Sequence, residues 1–177
     1  MSRAGPLRVA ILGTASSGKS TLAAALAAHY HTVWVPEYLR EFVDTEGRVP
    51  VAADQFPIAR TQLAREEQAA AHANTYLFCD TTPLMTAVYS RHYFLGIDPQ
   101  LAVLADQHHD HYDLTLVTAP DIPWVPEGLQ RECEQVSRII SGLLMEELAA
   151  RSIPYQMVAG SVEQRVAGVA ALLHNLR

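Results

Sequence analysis

Eight consecutive residues, Gly13-Thr14-Ala15-Ser16-Ser17-Gly18-Lys19-Ser20, carry the clearest chemistry in this 177-residue chain. They match the P-loop pattern Gly-x-x-x-x-Gly-Lys-Ser/Thr. The two glycines let successive backbone N–H groups turn inward around an anion. Lys19 would neutralise the β- and γ-phosphates of a nucleoside triphosphate, and the Ser20 hydroxyl would hold Mg²⁺. Ala15, Ser16, Ser17, Gly18 and Thr21 would complete the cradle. Twelve of the 13 basic residues are arginines, and Lys19 is the only lysine. It stands where a compact ammonium on a flexible stem is needed and a planar guanidinium would alter the geometry.

Three further groups belong with this loop. Asp80 ends the apolar run Tyr76-Leu77-Phe78-Cys79 and can orient Mg²⁺ through water. It can also start a helix, since Thr81, Thr82 and Pro83 follow. Glu37 directly follows a strand-like run and Pro36, with Arg40 three residues on. A carboxylate there can serve a hydroxyl that accepts a phosphoryl group; the plainer account is a surface ion pair. The segment Pro120-Asp121-Ile122-Pro123-Trp124-Val125-Pro126-Glu127-Gly128-Leu129-Gln130-Arg131 is stiff, with an indole and an arginine. It can form a lid, Trp124 over a flat ring and Arg131 on phosphates, or be a structural loop with Trp124 in the core.

These residues must be positioned by alternating strands and helices. Strand patterns fall at Arg8–Leu12, Thr32–Val35, Tyr76–Cys79, Leu114–Val117 and Tyr155–Val158. Helical patterns fall at Lys19–His29, Glu37–Thr45, Val51–Asn74 with a break near Pro57, Pro83–Phe94, Pro99–His109, Glu132–Arg151 and Val162–Leu176. Short apolar strands alternating with helices imply a five-stranded, doubly wound parallel sheet covered on both faces, a three-layer α/β domain. Its ligand site belongs at the carboxyl ends of the strands. With no linker or repeat, residues 1–177 read as one domain with a lid around 120–138.

Hydrophobic residues at 49% and charged residues at 18% describe a folded globular chain. The net charge of −6 argues against nucleic acid as the main partner. No run approaches the roughly 20 apolar residues of a membrane span. Two cysteines, Cys79 and Cys133, suggest neither a disulfide framework nor a zinc site, and a reducing cytoplasm is expected. Gln107-His108-His109-Asp110-His111 resembles a metal cluster, but it precedes a strand at the edge away from the phosphates and reads as a solvated helix end. Arg60, Arg65, Glu66 and Glu67 read as a solvated helix face, and Tyr89 with Tyr93 as core or pocket wall.

Four strings carry a resemblance: Trp34-Val35-Pro36-Glu37-Tyr38-Leu39-Arg40-Glu41-Phe42, Phe78-Cys79-Asp80-Thr81-Thr82, Pro120-Asp121-Ile122-Pro123-Trp124-Val125 and Ile153-Pro154-Tyr155. From Val9 to about Leu173 the chain resembles the nicotinamide riboside kinase domain of NadR-type proteins, P-loop NTPases of the AAA-domain family. The resemblance implies phosphoryl transfer from ATP to the ribose hydroxyl of nicotinamide riboside or a similar nucleoside. It places Glu37 at the accepting hydroxyl, Tyr38 and Arg40 near the substrate, and Asp80 on the Mg²⁺ side. Asp121, Trp124 and Arg131 would belong to the lid, and Gly160 and Ser161 would flank adenine. The chain departs from the family at Ala15, where an acidic residue is frequent, and at Gln130-Arg131, so that Arg131 or Arg138 would supply the lid arginine.

The rival expectation is a nucleotide-dependent switch that hydrolyses ATP or GTP. The absence of an Asn-Lys-x-Asp string favours ATP over GTP. A module without catalysis is disfavoured by the joint presence of Lys19, Ser20 and Asp80.

Overall fold

The computed structural model describes residues 4–123 and 133–176. Five strands, β1 (Leu7–Leu12), β2 (Trp34–Val35), β3 (Tyr76–Asp80), β4 (Leu114–Thr118) and β5 (Gln156–Val158), form one sheet in the order β2-β3-β1-β4-β5. Every pairing is parallel. β1 lies between β3 and β4, so the chain leaving β1 opens beside the ends of both. That is the topological switch point at which ligands bind in open α/β sheets.

The sheet is apolar on both faces. Val9 and Ile11 of β1 face one way, with Tyr76 and Phe78 of β3 and Val158 of β5. They pack on Leu22, Ala23 and Leu26 of helix α1 (Lys19–His29) and on Val169 and Leu173 of helix α8 (Val162–His174). The alternate residues Ala10 and Leu12 face the opposite layer. There the cover is α3 (Gln55–Ala70), α4 (Pro83–Phe94), α5 (Pro99–Asp106) and α7 (Glu134–Ala150). The short α2 (Tyr38–Glu46) follows β2, and α6 (His108–His111) precedes β4.

The expected break near Pro57 is resolved as a helix start. A 3-10 turn at Ala52–Asp54 precedes α3, and Pro57 lies in the first turn of that helix, where a missing N–H costs no hydrogen bond. The expected Pro99–His109 helix is divided into α5 and α6, with Gln107 between them. The second strand shrinks from four residues to Trp34–Val35 because it pairs only with β3 at the sheet edge. No helix among the described residues is long and apolar enough to cross a membrane.

Two surface readings are corrected. Glu66 is fully buried, and its carboxylate accepts hydrogen bonds from the Tyr112 hydroxyl at 2.8 and 2.9 Å. Buried Arg8 lies 3.9 Å away. Burial pushes the Glu66 carboxyl up to about 8, against the pull of Tyr112 and Arg8. His108 is also buried: its Nδ1 lies 3.3 Å from Thr82 Oγ1 and its Nε2 2.9 Å from Thr115 Oγ1. Burial, then His111, lowers its pKa to about 3, so it acts as a neutral clasp between the end of β3 and β4. Among the described residues no group of three or more His, Cys, Asp or Glu is arranged to hold a metal.

Candidate active site

The P-loop connects β1 to α1 as expected. Gly13 has φ +151°, and a Cβ there would stand 2.2 Å from Thr118 Oγ1 of β4. Only glycine allows the loop to leave β1 this close to the neighbouring strand. The turn is then held from within. Ser17 Oγ donates to the Thr14 carbonyl at 2.7 Å and lies 2.6 Å from Thr118 Oγ1. Gly18 caps α1 at φ +86°. Lys19 Nζ is buried and donates to the Thr14 carbonyl at 2.9 Å, so its ammonium lies across the mouth of the loop. Thr21 is exposed on the first turn of α1.

Asp80 ends β3 beside β1, and its Oδ2 accepts from Ser20 Oγ at 2.5 Å. Its Oδ1 is buried and has no hydrogen-bond partner among the described residues. A hydroxyl, a carboxylate and one unsatisfied carboxylate oxygen at the start of a phosphate loop fit a hard, oxygen-ligated cation such as Mg²⁺. The competing role for Asp80, capping α4, falls to Thr82, which occupies the N-cap with Pro83 after it.

Glu37 is the N-cap of α2 and is buried. The Glu37–Arg40 distance is 3.9 Å, with Arg40 half exposed and Glu37 enclosed, so this is not a solvated surface pair. Burial dominates the Glu37 carboxyl and pushes it up to about 7, with Lys19 pulling down and Asp80 pushing up. Glu37 therefore stands within the electrostatic reach of both donor-side groups. Its backbone is pinned by a residue that sequence reasoning did not single out. Buried Gln62 of α3 accepts from Tyr38 N at 2.8 Å and donates to the Pro36 carbonyl at 3.3 Å.

Two clefts flank the loop. One of about 310 Å³ runs between Thr14–Ser17, Pro120–Pro123 and Glu134, Ser137 and Arg138 of α7. The other, about 10 Å³ and so little more than the size of one water, is lined by Glu37, Leu39, Gln55, Gln62, Thr81 and Tyr89 among others. Tyr89 is thus a pocket wall. Tyr38 and Arg40 do not line this second cleft; the Tyr38 ring lies 4.7 Å under the Arg65 guanidinium, which pairs with Glu41. Arg138 pairs with Glu134 on the wall of the first cleft. Trp124 and Arg131 lie outside the described residues.

The far wall of the loop depends on Arg165, a second residue without a sequence signal. It is 1% exposed and donates to the carbonyls of Ser17 at 2.6 Å, Ala119 at 3.0 Å and Gly160 at 3.1 Å. It also pairs with Asp121, whose other oxygen accepts from Gly160 N at 2.6 Å. Asp121 thereby anchors the start of the 120–138 segment to the β5–α8 turn. Ser161 caps α8, accepting from Gln164 N at 3.1 Å.

The model of the AAA domain family matches residues 8–165. The trifunctional NAD biosynthesis/regulator protein NadR of Escherichia coli K12 is 32% identical over 155 residues, covering 85% of this chain and 37% of that protein. The NadR of Salmonella typhimurium LT2 is 32% identical over 152 residues, 83% of this chain and 37% of that protein. This chain thus spans well under half the length of these relatives. A crystal structure of NadR in complex with NAD and AMP-PNP superposes with a TM-score of 0.75 at 22% identity, covering 96% of this chain and 49% of that one. A second NadR structure, in complex with NR, gives 0.74 at 22% identity with the same coverage. Thymidylate kinase of Candida albicans gives 0.68 at 16% identity, covering 98% and 93%.

Proposed function

This chain belongs to the AAA domain family of P-loop proteins, and from that premise we propose that it is an ATP-dependent small-molecule kinase. Its acceptor is the ribose hydroxyl of nicotinamide riboside or a similar nucleoside, and its products are ADP and the mononucleotide. The observation that carries this reading is Glu37. A buried carboxyl with a pKa near 7 stands between the donor-side groups Lys19 and Asp80 and a small cleft lined by Gln55, Thr81 and Tyr89. The relatives add support: a NadR structure of the same fold holds AMP-PNP and NAD, and another holds NR.

In this mechanism the triphosphate lies along Gly13–Ser20, with backbone N–H groups and the α1 N-terminus facing its oxygens. Lys19 leaves the Thr14 carbonyl for the β- and γ-phosphates. Ser20 and Asp80 would hold Mg²⁺, which offsets phosphate charge when bound. Glu37 accepts the proton of the attacking hydroxyl, and Gln62 keeps the Pro36–Tyr38 backbone in place while it does so. Arg40 faces Glu37 from the solvent side, and Tyr38 supports the same helix end. The residues around 120–138 serve as the lid, with Arg138 or Arg131 reaching the phosphates and Asp121 tying the lid root to Gly160, beside the adenine. Residues 1–177 act as one such unit.

The test is an acceptor screen with γ-labelled ATP over nicotinamide riboside and common nucleosides. Label transfer to a ribose hydroxyl is expected. Steady ADP release with no labelled nucleoside from any acceptor would favour the nucleotide-hydrolysing switch.

A further inference from the structure

The end of β3 holds an oddity that the donor-side chemistry does not use. Thr81 has φ +77°, a left-handed conformation that is a true outlier for a β-branched residue. The chain is forced into it from both sides. Thr81 N donates to the Ile11 carbonyl at 3.0 Å, continuing the β1–β3 ladder, while the next residue is clasped through Thr82 Oγ1 to His108. Met85 N donates to the Thr82 carbonyl at 3.0 Å, which ties the same point to α4. Strain that is over-determined in this way persists where the side chain it presents is of use.

The side chain it presents is a hydroxyl that faces the Glu37 carboxyl but makes no well-aligned hydrogen bond. Thr81 is 5% exposed, and its Oγ1 makes no hydrogen bond among the described residues. A buried hydroxyl left unmade is costly, and native structures rarely keep one. It lines the same cleft as Glu37, Gln55 and Tyr89, close enough to Glu37 to draw its pKa down, yet in no aligned hydrogen bond to it. Asp80 Oδ1, one residue earlier, is orphaned as well. The two neighbours point to different ligands, since Asp80 meets Ser20 at the donor side and Thr81 meets the acceptor cleft.

We propose that Thr81 is an acceptor-binding residue, whose strained backbone aims its hydroxyl at a hydroxyl of the acceptor's sugar beside Glu37. The ligand class is therefore a polyol, the ribose of a nucleoside, rather than a flat base alone. His108 is a positioning residue for this contact, because it holds Thr82 and with it the left-handed turn. The inference rests on the kinase reading above.

The test compares Thr81→Val, which keeps the shape and branching but removes the hydroxyl, with Thr81→Ser, which keeps the hydroxyl. Thr81→Val is expected to raise the acceptor KM about tenfold, the factor of one ordinary hydrogen bond. The ATP KM should stay within twofold, and Thr81→Ser should retain a near-normal acceptor KM. At about pH 5.5, where Glu37 is protonated, the melting temperature of Thr81→Val without ligand should be no lower than that of the parent, since the lost hydroxyl then makes no aligned hydrogen bond. An active parent whose acceptor KM is unchanged by Thr81→Val overturns this inference alone. A drop in the ligand-free melting temperature at that pH does the same, by showing that the hydroxyl has an internal partner other than the ionised Glu37. A parent that labels no nucleoside overturns the kinase reading and this inference with it.

Discussion

Replacing Glu37 with glutamine removes one charge and changes little else in shape. In the folded chain the carboxyl is held at about 7 instead of the ordinary 4.5, chiefly by burial. Two consequences follow. As a base, Glu37 is competent only when ionised, so kcat/KM should fall about tenfold per pH unit below 7 and level off above it. Glu37→Gln should lower kcat by about 10² to 10⁴, the usual contribution of a positioned base, and abolish that pH limb. As a buried carboxyl with a raised pKa, Glu37 also opposes folding. Its folded form binds the proton more tightly than its unfolded form, so the penalty is absent below about pH 4.5, grows as pH rises, and is complete above about 7. At about 1.4 kcal/mol per pH unit this amounts to roughly 3 kcal/mol. Glu37→Gln should therefore be more stable than the parent at pH 8 and equally stable near pH 4.5, while ATP affinity measured by calorimetry is retained. The assays are a pH–rate profile with the best acceptor and urea unfolding at both pH values. Unchanged turnover, or a pH limb that survives the substitution, would refute the assignment of Glu37 as base.

Lys19→Ala should abolish triphosphate binding by calorimetry, because no other lysine exists to replace it; normal ATP affinity would contradict the donor-site geometry. Arg165→Met should cost about 3–5 kcal/mol in chemical denaturation, since it removes three charge-assisted hydrogen bonds to carbonyls. It should also weaken ATP binding more than acceptor binding, because those contacts hold the P-loop and the β5–α8 turn. Glu66→Gln should flatten the stability–pH curve. The Glu66 carboxyl, raised to about 8, makes the parent lose stability as pH climbs from about 4.5 to 8, and an amide cannot ionise. Parallel melting curves for parent and variant at pH 5.5 and 8.5 would show that Glu66 is not held protonated.

Legibility followed locality. The P-loop, the Asp80 strand end and Glu37 after β2 are written in contiguous residues, and their elements appear where the apolar periodicity put them. The errors share one cause. Glu66 and His108 look solvated in a window of neighbours, because the groups that enclose them, Tyr112 and Arg8 for one, Thr82 and Thr115 for the other, lie elsewhere in the chain. Tyr38 and Arg40 share a string with Glu37, and Arg40 stays within 3.9 Å of it, but neither lines the small cleft, and the Tyr38 ring lies under Arg65 instead.

What the sequence determined by itself was the class of fold and the kind of anion held, since both follow from short-range rules: strand and helix periods, glycine freedom, and one lysine at one place. Which buried groups surround Glu37 and the P-loop was decided only by the tertiary structure. Arg165 reaches Ser17 across 148 residues, Gln62 reaches Tyr38 across 24, and Thr81 is bent by contacts from β1, α4 and α6 at once. The physical reason is that burial and strain belong to the whole packed chain. A residue's type states which contacts it can make, and only the closing of the sheet between its helix layers states which of them it is left to make or to lack.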